Sequence, residues 1–200
     1  MRVISGSAKG RPLKAVPGNT TRPTADRVKE ALFSIIGPYF EGGAALDLYA
    51  GSGSLGIEAL SRGMDRAVFV DLDRKSVEVI KANLRATGLS ERAEVHRGDA
   101  RQALKALKKR GALFDLVFLD PPYRMKEMDD ILAALERAGM VRDGSVAVIE
   151  HEAARDYPER IGGFRRTRRA VYGITALSVY VFEDTAPLRP EENEAGPPGP

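Results

Sequence analysis

The sequence contains no cysteine, and this absence excludes several kinds of chemistry. Its 200 residues include neither cysteine nor tryptophan, so disulfide bonds, thiolate zinc sites and a cysteine nucleophile are excluded. No run of about 18 apolar residues occurs, which argues against a membrane-spanning helix. The first residues also lack the continuous apolar segment of a secretory signal. An intracellular, cytoplasmic enzyme or binding protein is therefore expected.

The composition is that of a globular protein with an uneven distribution of charge. Hydrophobic residues make up 43% of the chain and charged residues 30%, which is ordinary for one folded domain. The formal net charge is +3, but residues 183–200 carry five acidic side chains against Arg189 alone. This tail is also rich in proline and is expected to be disordered. Residues 1–182 are consequently strongly basic.

Two basic clusters supply much of this positive charge. Residues 1–30 hold seven basic side chains against two acidic ones, and residues 160–170 hold five arginines and no acid. Clustered lysine and arginine attract a phosphodiester backbone. Each cluster taken alone also fits an ordinary solvated surface.

The apolar pattern predicts strands that alternate with helices. Thr24 is expected to cap a helix that continues to about Ile36. Five short strands then follow, at residues 44–48, 67–70, 93–96, 116–119 and 145–149, with helices at about 54–62, 74–86, 99–109 and 127–138. This alternation predicts an α/β fold with a parallel sheet covered by helices on both faces. Residues 164–171 and 174–182 flank Tyr172-Gly173 and predict an antiparallel hairpin.

The same pattern suggests three parts of the chain. These are a basic N-terminal arm and helix at 1–43, the α/β domain at 44–182 and the acidic, proline-rich tail at 183–200. Neither histidine is expected to be catalytic: His96 lies on a predicted core strand and His151 follows Glu150. No spacing of histidine and acidic residues suggests a metal site.

A glycine-rich loop follows the first strand of the α/β domain. Residues 51–56 read G-x-G-x-x-G between a strand and a helix, and Asp71 ends the next strand. This arrangement is typical of nucleotide cofactor binding, with the acid accepting hydrogen bonds from a ribose. Asp47 favours S-adenosylmethionine (SAM), because a carboxylate there would pair with its amino-acid end and repel a pyrophosphate; alternatively, Asp47 caps the loop. Asp99 is placed to bind an adenine amino group, to cap a helix, or to do both.

The most specific motif is Asp120-Pro121-Pro122-Tyr123, which follows a buried strand. The Asp120 carboxylate and the Pro121 carbonyl are two acceptors suited to the two N–H groups of a planar amine. The prolines fix φ and remove backbone donors, and Tyr123 offers a face on which a flipped base can stack. The alternative is a strand end followed by a turn, with Tyr123 covering the core.

Together these residues resemble the SAM-dependent amino-methyltransferases, and more narrowly the RsmD family of bacterial 16S rRNA guanine-N2 methyltransferases. The resemblance covers about residues 1–182. It is carried by residues 2–6, 9–11, 21–33, 47–53, 58–63, 120–123, 150–152 and 172–178, of which the R-P-T-x-D-R element at 22–27 is the most family-specific. Asp71 stands where the family commonly has glutamate, so a shorter acid must reach the ribose.

The resemblance implies a Rossmann-like methyltransferase with a mostly parallel seven-stranded sheet and a C-terminal antiparallel hairpin. It implies transfer of a methyl group from SAM to a guanine N2 amine in 16S rRNA or the assembling small ribosomal subunit. The predicted catalytic residues are Asp120, Pro121, Pro122 and Tyr123. The predicted cofactor-binding residues are Asp47, Tyr49, Ala50, Gly51, Gly53, Asp71, Leu72, Asp99 and Ala100.

RNA contacts are expected at both basic clusters. The predicted residues are Arg2, Lys9, Arg11, Arg22, Arg27, Arg165 and Arg166. For Arg22 the alternative is an ion pair with Asp26, and for the hairpin arginines it is a solvated edge strand. Lys29 and Glu30 are expected on the solvated face of the first helix.

Other functions remain open at this point. A DNA adenine or cytosine methyltransferase would also use D-P-P-Y, although 200 residues leave little room for a separate sequence-reading domain. A protein-glutamine methyltransferase usually has asparagine in place of Asp120. A non-catalytic RNA-binding module and a nicotinamide dehydrogenase are the remaining alternatives.

Overall fold

The computed structural model describes residues 1–17, 26–121 and 128–184. Within these residues the helices are α1 (Asp26–Ile36), α2 (Ser54–Ser61), α3 (Arg74–Thr87), α4 (Ala100–Lys109) and α5 (Met128–Arg137). The strands are β1 (Ala44–Leu48), β2 (Arg66–Asp71), β3 (Ala93–Arg97), β4 (Leu116–Leu119), β5 (Val146–Glu152), β6 (Arg160–Ile161), β7 (Phe164–Tyr172) and β8 (Thr175–Phe182). None of the described helices is long and apolar enough to span a membrane.

The strands form one sheet in the order β3-β2-β1-β4-β5-β8-β7-β6. β1 to β5 run parallel to one another, whereas β8 is antiparallel to both β5 and β7. Chain order reverses at β1, which lies between β2 and β4. Ligands of open parallel sheets bind at such a switch point, beyond the carboxyl ends of the strands.

Each face of the sheet has its own apolar core because side chains alternate along the strands. On β4, Val117 and Leu119 belong to the core that contains α4 and α5. Leu116 and Phe118 belong to the core that contains α1, α2 and α3. The four residues of β4 are all buried, as expected for a central strand covered on both faces.

The N-terminal segment, residues 1–17, packs onto the second of these cores. Val3, Ala8 and Leu13 are buried there, and Arg2 and Pro12 form an isolated antiparallel bridge. The carboxylate of Glu58 on α2 accepts hydrogen bonds from the backbone N–H groups of Ile4 and Ser5, at 2.8 and 2.9 Å. The segment is therefore held along α2 by specific polar contacts as well as by apolar burial.

The predicted fold class is confirmed, with one added strand. The two-residue β6 extends the predicted sheet from seven strands to eight and pairs Arg160 with Arg165. The prediction that β3 is a core strand is wrong, because β3 is an edge strand and the His96 side chain is about half exposed (45%). The predicted cap Thr24 and tail residues 185–200 lie outside the described residues.

Lys29 is also not where the sequence suggested. Its side chain is fully buried rather than solvated, and its Nζ lies 3.3 Å from Glu58 Oε2. Burial lowers the pKa of Lys29, although the Glu58 carboxylate opposes this shift. Glu30, the next residue, is exposed as predicted.

Candidate active site

The switch point brings the two main sequence motifs together. Leu48 at the end of β1 pairs with Leu119 at the end of β4. Tyr49 and Asp120 therefore leave the sheet side by side, on strands about 4.8 Å apart. The glycine-rich loop and the Asp120-Pro121 segment thus border one crevice.

The glycine-rich loop adopts a conformation that brings its backbone to this crevice. Gly51 and Gly53 have φ values of +55° and +76°, and a Cβ added to Gly51 would meet no atom within 4 Å. A Cβ on Gly56, in contrast, would lie 2.4 Å from Phe69 Cε1. Gly51 thus faces open space, whereas Gly56 permits close packing of α2 against the sheet.

Tyr49 begins this loop in a strained conformation. Among the described residues it is the only one other than glycine with a positive φ, +63°. Such strain costs on the order of 1–3 kcal/mol and concentrates at functional sites. The predicted cofactor-binding residue Ala50 follows it and is anchored by a 3.0 Å hydrogen bond from its N–H to the Val70 carbonyl.

Asp47 lies beneath the loop and is almost fully buried. Its Oδ2 accepts a 2.9 Å hydrogen bond from the Gly56 N–H, so the loop-capping alternative is realised. Burial raises the pKa of Asp47 to about 8, the nearby Asp71 charge adds to the rise, and the Gly56 hydrogen bond opposes it. The predicted contact with the amino-acid end of SAM stays a prediction.

Asp71 supports the loop from the adjacent strand. Its Oδ2 accepts a 2.7 Å hydrogen bond from the Gly51 N–H, and its Oδ1 accepts one of 2.8 Å from the Asp73 N–H. The side chain is only partly buried, and the next residue, Leu72, is 68% exposed. A carboxylate and an apolar surface are therefore presented together at this edge. The hydrogen bond from Gly51 to Asp71 was not predicted from the sequence.

Asp99 has the helix-capping role that the sequence predicted as one of two. It is the N-cap of α4 and accepts hydrogen bonds from the N–H groups of Arg101 and Gln102, at 2.9 and 3.2 Å. Ala100 begins the helix and is buried. Gly98, just before the cap, donates a 3.0 Å hydrogen bond to the Asp71 carbonyl, which joins this turn to the end of β2.

Asp120 reaches solvent at the crevice, while Pro121 behind it is buried. Although Asp120 is exposed as a whole residue, protein atoms surround its carboxyl group. This loss of hydration raises the pKa of Asp120 well above its usual range, and the charges of Glu150 and Asp47 add to the rise. Glu150 lies on β5, one residue beyond the Leu119–Ile149 pair. Pro122 and Tyr123 lie outside the described residues.

The structure separates the predicted RNA-binding residues into near and far groups. Lys29 Nζ donates to Ser54 Oγ at 3.0 Å, so α1 begins beside the glycine-rich loop. Arg27 is exposed there and has no ion-pair partner among the described residues, whereas Arg2 pairs with Asp26 at 3.3 Å. Arg22 lies outside the described residues.

The remaining predicted contacts are further from the crevice. Lys9 is exposed in a turn that packs against Ser61, at the far end of α2, and Arg11 is exposed between the two ends of the segment. On the hairpin, Arg165 pairs with Glu183 at 2.6 Å and Arg166 with Asp156 at 2.5 Å. The register places both at the amino edge of the sheet, opposite Asp120.

Asn83 is a site residue that sequence reasoning missed. Its amide is buried and exchanges two hydrogen bonds with the backbone of Lys14, at 2.8 and 3.0 Å. The same Nδ2 donates to the Ser52 carbonyl in the glycine-rich loop, at 2.9 Å. The N-terminal segment is thereby joined to the loop. An asparagine inside an amphipathic helix carries no sequence signal for this role.

The parallel sheet, the glycine-rich loop at its switch point and the adjoining Asp120-Pro121 segment define a Rossmann-like methyltransferase. Comparisons with known proteins identify the particular family. The profile of the family described as Conserved hypothetical protein 95 matches residues 1–181. The Escherichia coli ribosomal RNA small subunit methyltransferase D is 32% identical over 187 residues, which cover 92% of this chain and 90% of that protein. The chain belongs to this family, and the resemblance to RsmD is confirmed.

Further relatives agree with this assignment. A Bacillus subtilis protein named provisionally as an rRNA methyltransferase, YlbH, is 48% identical and covers 90% of this chain and 98% of its own length. An E. coli structure named provisionally as the methyltransferase yhhF is 34% identical, with a TM-score of 0.76 over 92% of this chain and 98% of that one.

Proposed function

We propose that this protein transfers a methyl group from SAM to the N2 amine of a guanine in 16S rRNA. The observation that carries the proposal is the pairing of Leu48 with Leu119, which places the glycine-rich loop beside Asp120 and Pro121. Relatives named as ribosomal RNA small subunit methyltransferases support the substrate class. An rRNA substrate also agrees with the expected cytoplasmic location.

The residues at the crevice fit SAM. Open space over Gly51 leaves room for a ligand against the loop backbone, and the partly exposed Asp71 carboxylate is a suitable acceptor for ribose hydroxyls. Exposed Leu72 would cover one face of the adenine, and Asp99 at the start of α4 would accept from its amino group. When bound, SAM supplies an electrophilic methyl group on a sulfonium. The protein's part is alignment of that group with the acceptor nitrogen.

Asp120 and Pro121 would orient the guanine amine. Its nitrogen is a poor nucleophile because its lone pair is delocalised into the ring. Acceptance of the two N–H groups by the Asp120 carboxylate and the Pro121 carbonyl favours a more pyramidal nitrogen with an available lone pair. Asp120 is open to solvent, so the proton released after methylation has a path to water. Pro122 and Tyr123 lie outside the described residues, and their expected roles, restriction of φ and stacking on the flipped base, stay predictions from the sequence.

The substrate would approach over the start of α1. Arg2 and Arg27 lie near the crevice. Lys14 is also exposed, and its backbone N–H donates to Asn83. The preceding residue, Leu13, donates to the Met1 carbonyl. This group of cations fits the phosphates of a structured RNA, either free or in the assembling small subunit. DNA and protein, the alternative substrates, are therefore included in the test.

The test is methyl transfer from radiolabelled SAM to small ribosomal subunits that lack the modification, with DNA and protein offered in parallel. We expect label as N2-methylguanine in 16S rRNA, identified by mass spectrometry. Asp120→Asn should lower the rate on the order of 100-fold, because it disturbs alignment of the acceptor, while SAM affinity is retained. Asp143→Asn is the matched control, since Asp143 is exposed at the opposite edge. Label only in DNA or protein would overturn the proposed substrate.

A further inference from the structure

We propose that the hairpin tip, residues Val171, Tyr172, Gly173 and Ile174, contacts the RNA nucleotides that flank the target guanine. This inference rests on the proposed function and identifies a further part of the substrate surface. None of these four residues belongs to the basic clusters or to the motifs that surround the crevice.

The sheet register places the hairpin tip at the active-site edge. Glu152, at the end of β5, pairs with Thr175 at the start of β8. Leu119 is level with Ile149 on β5 and with Ser178 on β8. Asp120 is therefore level with Leu177, so Ile174 lies three residues further out, or roughly 10 Å beyond it and about 10 Å to the side. The tip projects past Asp120 toward any substrate bound there.

The surface of the tip is apolar, in contrast to most hairpin turns. Ile174 is 76% exposed and Val171 is 51% exposed. They are two of only four large apolar side chains that are exposed in the described part of the chain. One exposed apolar residue is ordinary, but here two lie within four positions where turns usually carry polar residues.

The tip is also held in place before any partner binds. Gly173 has a φ of +63°, which suits the tight turn. The Ile174 carbonyl accepts a 2.8 Å hydrogen bond from the Ala153 N–H, and Tyr172 packs against the core shared with α1 and α2. An anchored apolar projection loses little conformational entropy on binding.

An RNA with one base removed from its stack suits such a projection. Extrusion of a guanine exposes the apolar faces of its neighbours, and proteins that distort nucleic acids often insert apolar side chains at such steps.

The first test removes the apolar surface. The double variant Val171→Ser and Ile174→Ser should lower kcat/KM for the small subunit by about fivefold or more. A loss of about fivefold corresponds to the lower end of the stacking energy of one base. SAM affinity and thermal stability should not change. Tyr39→Ser is the matched control, because Tyr39 is 63% exposed and precedes β1 at the opposite edge. An unchanged kcat/KM in the double variant, or an equal loss in the control, would overturn the inference.

The second test locates the contact directly. Because the chain has no cysteine, Ile174→Cys introduces a single thiol that can carry a photo-crosslinker. We expect crosslinks to nucleotides within a few positions of the methylated guanine, and none from Tyr39→Cys. Crosslinks only to ribosomal protein, only to a second copy of this chain, or to no partner would overturn the inference while methyl transfer still supports the proposed function. Absence of methyl transfer by the unaltered protein would remove both.

Discussion

At the scale of single residues, the crevice concentrates carboxyl groups where an uncharged amine is to be bound. Loss of hydration around the carboxyl group raises the pKa of Asp120, and the charges of Glu150 and Asp47 raise it further. A protonated Asp120 would offer the amine one acceptor oxygen fewer and a competing donor. The pH dependence of methyl transfer should therefore report the ionisation of this carboxyl group.

We accordingly expect kcat/KM to rise with pH, with an acidic limb above the ordinary range of aspartate. Glu150→Gln removes a like charge, so it should lower the pKa of Asp120 and move this limb to lower pH. The measurement is a pH–rate profile of both proteins. Glu136→Gln is a control, because Glu136 lies on α5 and binds the Gly163 N–H instead. A limb that does not move in Glu150→Gln would show that another group controls the rate.

Asp47 leads to a second prediction at this scale. With a pKa of about 8, it is mostly protonated at pH 7 in the free protein. The ammonium and sulfonium charges of SAM would favour the carboxylate and lower that pKa, so binding should release up to one proton. Calorimetry in buffers of different ionisation enthalpy measures this number. Asp47→Asn should abolish the release, and equal proton release in both proteins would assign it to a different group.

At the scale of elements, the N-terminal segment and the glycine-rich loop are joined through α3. Asn83 binds Lys14 on one side and Ser52 on the other. Asn83→Asp keeps the acceptor for the Lys14 N–H but loses both donated hydrogen bonds and sets a carboxylate against two carbonyls. We expect SAM affinity to fall about tenfold, within the range for an unsatisfied buried polar group.

A variant at the other end of the N-terminal segment distinguishes two roles, positioning of the glycine-rich loop and general attachment of the segment to the fold. Ser61 Oγ accepts from the Ala8 N–H at 3.0 Å and donates to the Ser5 carbonyl at 2.6 Å. Ser61→Ala should lower thermal stability but leave SAM affinity nearly unchanged. Equal losses of SAM affinity in the two variants would mean that Asn83 acts only through the fold.

The buried pair of Lys29 and Glu58 fixes α1 against α2. Lys29 Nζ also donates to the Arg2 carbonyl at 2.7 Å, and Glu58 binds Arg62 at 2.7 Å. Lys29→Met would leave a buried carboxylate with less compensation, so unfolding free energy should fall by about 3 kcal/mol. Urea denaturation measures this loss, with the exposed Lys75→Met as control. Unchanged stability would show that Arg62 alone compensates Glu58.

The contacts of Asn83 and of Lys29 could not be predicted from the sequence, whereas several strands could. Strands such as β1 and β4 were predicted with correct bounds because continuous apolar runs are typical of buried parallel strands. Lys29 was misplaced because a lysine on an amphipathic helix is almost always solvated. Its buried partner Glu58 is 29 residues away, and nothing local in the sequence links the two. The cap of α4 by Asp99 was predicted because it is a local contact, whereas the hydrogen bond between Asp71 and Gly51 joins residues 20 positions apart and depended on the tertiary structure.

At the scale of the whole molecule, the positive charge is distributed unevenly about the sheet. Arg27 lies by the crevice and has no ion-pair partner among the described residues, whereas Arg165 lies at the opposite edge and is bound to Glu183. Both were predicted as RNA contacts from charge clustering. Only the fold distinguishes them, because the sheet register places Arg165 level with the start of β5, at the edge opposite the crevice.

This arrangement predicts different salt dependences for two substitutions that change net charge equally. Arg27→Gln should weaken RNA binding and reduce the slope of log K against log salt by about 0.7, the value for one phosphate contact on a single strand. Arg165→Gln should change neither quantity, because its cation is far from the crevice and already paired. Filter binding or fluorescence anisotropy across a salt series measures both slopes. Equal effects of the two variants would show that RNA responds to total charge alone, and a larger effect of Arg165→Gln would place the RNA on the opposite edge of the sheet.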